Sequence, residues 1–225
     1  MVDPPARTPP RRPQISREYV EAHRRRRYVD AAAELLHEFG RQGPSVTNIV
    51  RLAGSARNSF YEVFRSGEDC IGYGIGVAVG ELFATLASQD GEGDWEADVG
   101  DAIAGFYAAV AADPVLAELF LVHAAASRVE HGREAALAGA EGFAALFARG
   151  RLRAEALGRR PPPLLVDECL SRAIVSLAAR RVRSPQVAGL PAEARPMAAL
   201  VVGYYVGSEA AAEAPVGPLA APTSH

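Results

Sequence analysis

From Ser16 onward, apolar residues recur at three- and four-residue intervals, the spacing that gathers them on one face of an α-helix. Tyr28, Ala32, Leu35, Leu36 and Phe39 follow this rhythm and predict a long first helix that starts from a Ser16 N-cap and stops at Gly40. Ser45 is placed to cap a second helix over about Val46 to Ala53, with Gly54 supplying the turn after it. A third short helix is expected from about Arg57 to Phe64. Its Phe60 and Phe64 are four apart and point to a core, while Arg57, Asn58, Tyr61 and Arg65 share another face. From about Glu68 to Ala214 the chain reads as six further helices, broken near Asp90 to Asp94, at Asp113-Pro114, near Gly158 to Pro163 and from Ser184 to Pro191. Five prolines within Met1 to Gln14 predict a flexible arm, and Pro215 to His225 reads as a disordered tail.

The expected fold is therefore all-α, in four stretches: a flexible basic arm over 1–15, a helix-turn-helix domain over 16–66, a helical body over 67–214 and a tail over 215–225. Two short helices joined by a Gly-containing turn, the second with an outward Arg/Asn/Tyr face, suit the major groove of double-stranded DNA. Arginine can take O6 and N7 of guanine together, asparagine pairs with N6 and N7 of adenine, and hydroxyls suit phosphates. The same pattern also fits an ordinary three-helix bundle with a solvated polar face. Charge bears on the choice. The chain has a net charge of −3, yet Met1 to Arg65 carries 12 Arg against 7 acidic residues, and the remainder 12 against 20. A basic head on an acidic body is the asymmetry expected if one end meets polyphosphate. Every basic residue is Arg, which keeps its charge at any relevant pH; an Arg- and Ala-rich codon bias explains that choice equally well.

The segment from Tyr28 to Gly40 (YVDAAAELLHEFG), Ser45 to Gly54 (SVTNIVRLAG) and Arg57 to Phe64 (RNSFYEVF) together resemble the first three helices of the TetR/AcrR regulators. Glu68-Asp-Cys70 resembles the start of that family's fourth helix, and Gly203 to Ala210 the last helix of some members. The resemblance implies a transcriptional regulator, a repressor released from operator DNA by a small apolar ligand. It implies Arg57, Asn58 and Tyr61 at bases, with Ser45, Thr47, Ser59 and Arg65 at phosphates. Three positions depart from the family pattern: Ala56 replaces a capping Ser or Thr, Asn58 a common Gly, and Gly67 a phosphate-binding Lys. These departures leave room for a rival reading, an all-helical small-molecule-binding or adaptor protein whose DNA head has decayed.

The family's use of its last two helices as a dimer bundle implies a homodimer. The apolar stripes Val166, Leu170, Ile174, Leu177 and Met197, Leu200, Val201, Tyr204, Tyr205, Ser208 would be divided between that interface and plain core packing. Leu170, Ile174, Leu177, Leu200, Tyr204 and Tyr205 are the interface candidates. Trp95, Phe106, Tyr107 and His123 are candidates to line a cavity for an unidentified effector. Gly72, Gly76 and Gly80 recur every four residues without dinucleotide-loop spacing and would allow close backbone approach. The five histidines form no metal motif, no GxSxG or Walker loop occurs, and Cys70 and Cys169 stand apart. No enzyme activity, metal or cofactor is expected. With 49% hydrophobic residues, no apolar run of membrane-span length and no secretion segment, a cytoplasmic protein without membrane contact is expected.

Overall fold

The computed structural model describes residues 17–84, 94–124 and 141–207, together with 128, 130, 132–134 and 137. All regular structure among these residues is helical. The first helix, α1, runs Arg17–Phe39 and is followed by a 3-10 turn at Gly40–Gln42. Then come α2 (Val46–Leu52), α3 (Arg57–Tyr61) and α4 (Gly67–Leu82). The body continues with α5 (Trp95–Ala112), α6 (Pro114–Glu118), a π turn (Leu119–His123), α7 (Ala144–Ala156), α8 (Leu164–Arg181), a 3-10 segment (Val187–Glu193) and α9 (Ala194–Val206). The expected Ser16 cap, the arm, the tail, Ser208 and most of the Asp90–Asp94 break lie outside the described residues.

Local chemistry accounts for the boundaries. Ser45 Oγ accepts from the Asn48 N–H at 3.2 Å, and Asn48 Nδ2 donates to the Gly43 carbonyl at 2.9 Å, so two otherwise unpaired groups at the head of α2 are satisfied. Gly54 turns the chain at φ +59, a backbone state that side chains with Cβ resist. At Asp113 the side chain caps the Leu116 N–H at 2.9 Å and Pro114 opens α6, so the chain turns through 106° between α5 and the Pro114–His123 segment. Among the described residues no single helix is long and apolar enough to cross a membrane.

The head core is aromatic. Tyr28 of α1 meets the Phe60 ring edge-on at 5.1 Å and Phe64 at 6.3 Å, with Ile49 buried beside them. Helix α4 then enters the body, and close approach is concentrated at Gly74: a Cβ there would lie 2.8 Å from Leu119 Cδ1 and 3.0 Å from Val29 Cγ1. Gly80, by contrast, faces open space. The body core joins Phe83, Phe106, Phe120, Phe143 and Phe147 to Trp95 and Tyr205.

Candidate nucleic-acid interface

The hydrophobic face of α3 fixes its direction: Phe60 is fully buried, so Arg57, Asn58 and Tyr61 are turned outward and exposed. Arg57 is ordered by its own helix. Its guanidinium lies 5.8 Å from the Tyr61 ring centroid, and Nη2 donates to the Tyr61 hydroxyl at 3.4 Å. Ser45, Thr47 and Arg65 are also exposed, and Ser59 is half-buried.

The third helix is shorter than its sequence suggests, ending at Tyr61 instead of Phe64. Two local hydrogen bonds compete for the chain just beyond it. The Arg65 N–H donates to Asp69 Oδ2 at 2.8 Å, and Ser66 caps α4 by accepting from the Asp69 N–H at 3.1 Å. Arg65 therefore lies beyond α3, in the link to α4, not on the helical face that carries Arg57 and Tyr61. Ala56 leaves the N-terminus of α3 without a side-chain cap. At Gly67 a Cβ would come within 3.0 Å of the Pro44 carbonyl oxygen, a steric reason for glycine at that position.

Sequence reasoning missed the side chains that hold this surface in place. Tyr28 and Ser55 share a hydrogen bond of 2.6 Å between α1 and the α2–α3 turn. Arg27 donates to the Ala53 carbonyl at the end of α2, and Arg24 pairs with Glu62 at 2.5 Å. The run Arg24 to Arg27 was the available signal, but its charge pattern does not say that these cations face acids and carbonyls of their own chain. Arg26 meets Asp30, Glu81 and Asp113. Burial lowers its pKa, but the bonds to Asp30 and Glu81 outweigh this and raise it.

The effector candidates sit in the core. Trp95, Phe106 and Tyr107 are buried; Trp95 Nε1 donates to the Leu146 carbonyl at 2.8 Å and Tyr107 donates to that of Ile174 at 3.3 Å. Burial, with Glu193 acting in the same direction, raises the Tyr107 pKa. His123 lies on the π turn, 3.3 Å from Glu118 Oε1. The interface candidates divide. Leu170, Ile174 and Tyr205 are buried within the protomer and Leu177 is half-buried, whereas Leu200 and Tyr204 are 50% and 57% exposed. Tyr205 donates to Asp167 at 2.5 Å, and burial pushes its pKa up to about 12 against the pull of Arg151. The described residues contain no cluster of three or more His, Cys, Asp or Glu that could hold a metal ion.

No protein-family model matches the chain, and no curated protein matches it by sequence. Solved structures do match by fold. The fatty acid degradation regulator FadR from Bacillus halodurans superposes with a TM-score of 0.66 at 20% identity, over 80% of this chain and 95% of that one. FadR from Bacillus subtilis, solved in complex with stearoyl-CoA, gives 0.60 at 19% identity over 79% and 97%. The TetR family transcriptional regulator PfmR from Thermus thermophilus gives 0.62 at 18% identity over 78% and 94%. The chain thus has the fold expected from its resemblance to TetR/AcrR regulators: an N-terminal helix-turn-helix unit followed by a helical body.

Proposed function

We propose that this chain is a DNA-binding transcriptional regulator of the TetR type, a cytoplasmic homodimeric repressor released from its operator by a small apolar or amphipathic ligand. The observation that carries the reading is the α2–turn–α3 unit, whose buried Phe60 leaves Arg57, Asn58 and Tyr61 together on an exposed, partly ordered face. In this reading those three residues meet base edges, and Ser45, Thr47, Ser59 and Arg65 meet phosphates. The body, at 67–214, holds the effector in the apolar interior to which Trp95, Phe106, Tyr107 and His123 belong, and no catalysis is involved. A gel shift with the DNA flanking the protein's own gene tests the reading. Binding that falls steeply with added salt and resists non-specific competitor supports it. Absence of binding favours a small-molecule-binding or adaptor protein with a decayed head, the reading that uncapped α3 suits. Because stearoyl-CoA occupies one structural neighbour, it is a sensible first probe of the body, titrated with and without DNA: an inducer must bind the DNA complex less tightly, typically by about 1 to 3 kcal/mol.

Arg57→Ala is expected to weaken specific binding by about 1 to 3 kcal/mol and to relax specificity at one base pair. Its exposed side chain supports no core, so thermal unfolding stays that of wild type. Unchanged operator affinity would remove Arg57 from the interface.

Dimerisation is assigned to the outer faces of α8 and α9. Leu164 and Leu165 are each 67% exposed, and Leu200 and Tyr204 add apolar surface that a lone protomer leaves in water. Wild type should sediment as a dimer at micromolar concentration, and Leu200→Glu with Tyr204→Glu as a monomer, because burying two carboxylates in an apolar interface opposes association. A monomeric wild type contradicts the assignment.

A further inference from the structure

Away from the DNA-facing surface, one buried carboxylate touches three separate elements. Glu118 is 1% exposed at the end of α6. Its Oε2 lies 2.7 Å from Nδ1 of His37, in the last turn of α1. Its Oε1 lies 3.3 Å from Nε2 of His123 on the π turn and 3.4 Å from Nε of Arg183, just past α8. The π turn has a specific part in this. In an ordinary α-helix, positions five apart diverge by about 140° around the axis, whereas i to i+5 bonding brings Glu118 and His123 onto one side. A buried carboxylate is tolerated only when its partners are in place, so the positions of His123 and Arg183 determine how well Glu118 is held.

Beyond the apolar packing of α1, which sets Val29 beside Gly74 of α4, two polar ties join α1 to the body. One is Arg26, which meets Glu81 of α4 and Asp113 at the N-cap of α6; the other is His37, which meets Glu118 at the far end of α6. The α2–turn–α3 unit follows α1, because Tyr28, Arg27 and Arg24 bond to Ser55, Ala53 and Glu62. We infer that Glu118 is a positioning residue that couples the π turn and the segment after α8 to the orientation of the head, with His37 as its contact on α1. The carboxylate has two oxygens for three partners. Displacing His123 or Arg183 withdraws a partner of Oε1 and frees the carboxylate to turn away from His37; α1 then keeps its apolar packing and the tie at Arg26 but loses the one at its far end, so that it can tilt with α3. This inference rests on the regulator reading given above, since only there does the orientation of the head govern an activity.

The test measures a distance and needs neither operator nor effector. Nitroxide labels are placed at Leu52→Cys on α2 and Leu152→Cys on α7, both exposed, in a Cys169→Ser background. Cys70 stays unlabelled, because it is buried and its thiol pKa is raised by that burial and by Asp69. Pulsed electron resonance on the full chain then reads the head-to-body distance distribution. His37 is 44% exposed at its side chain, so His37→Ala should keep the wild-type circular dichroism while shifting or broadening the distribution. His37→Gln, whose amide can donate to the same carboxylate, should restore it. Glu118→Gln, which loses the charge, should broaden it as well. A wild-type distribution in His37→Ala overturns the inference, as does a broadened one in His37→Gln. A parallel gel shift on the unlabelled variants keeps the two readings apart. A wild type that shifts no DNA removes the regulator reading while the distances still report on the tie. A wild type that shifts DNA alongside unchanged distances removes only the tie.

Discussion

Phe60→Ala is expected to unfold the head while leaving the body folded. The Phe60 ring is wholly buried and packs against Tyr28 at 5.1 Å, Phe64 at 5.6 Å and Tyr61 at 5.7 Å, so one truncation withdraws a partner from three other rings. Removing a buried Phe side chain costs about 3 to 5 kcal/mol. That loss falls on a unit of three helices, two of which, with seven and five residues, are too short to persist without tertiary packing. The measurement is hydrogen exchange read by peptide: segments covering 46–64 should lose protection, and those covering α5 and α9 should keep it. Phe60→Leu, which refills most of the volume, should retain much of the head's protection. Full protection of 46–64 in Phe60→Ala would show that the head core is held elsewhere.

Gly150→Val should destabilise the body severely. Even a Cβ at Gly150 would lie 2.4 Å from Cζ2 and 2.9 Å from Cε2 of Trp95, and 3.0 Å from Cδ1 of Tyr205. Neither ring is free to retreat. Trp95 is anchored through Nε1 to the Leu146 carbonyl, and Tyr205 through its hydroxyl to Asp167, which Arg151 also holds. Overpacking of this kind costs about 1 to 3 kcal/mol, occasionally more, and a valine against two fixed rings belongs at the upper end. In a chain of this length, 3 kcal/mol corresponds to a melting temperature lower by roughly 6 to 12 °C. A melting temperature equal to wild type would mean that α7 shifts without resistance.

The residue pattern made the head legible to within a few residues, because its signals are local: Ser45 caps, Gly54 turns, and Phe60 and Phe64 mark the inner face. The end of α3 comes earlier than the spacing suggests because the Val63 N–H turns to the Phe60 carbonyl, three residues back, and Asp69 takes the N–H of Arg65; hydrophobic spacing carries no trace of either bond. In the body, periodicity found the stripes on α8 and α9 but not which members face outward. Tyr204 and Tyr205 are neighbours in sequence, yet one is 57% exposed and the other 1%. Only the seat of α9 against Trp95 and Phe147 decides between them. The contact of His37 with Glu118 joins positions 81 apart, and nothing in a single sequence pairs them.

The stacking of Arg57 on Tyr61 bears on how the proposed DNA-reading face would meet its target. A free arginine side chain loses roughly 2 kcal/mol of rotamer freedom when fixed, a cost that ordinarily offsets much of what a new hydrogen bond contributes. Here the guanidinium plane is already restrained by the aromatic ring and the Tyr61 hydroxyl before any DNA arrives, so fewer torsions remain to be frozen on contact. On the proposed reading, little of this surface has to rearrange on contact. A lysine at this position could not substitute for it, since a compact ammonium neither stacks as a plane nor offers two parallel donors to one guanine. Recognition by such a face depends less on induced adjustment of α3 than on where the rest of the molecule holds that helix.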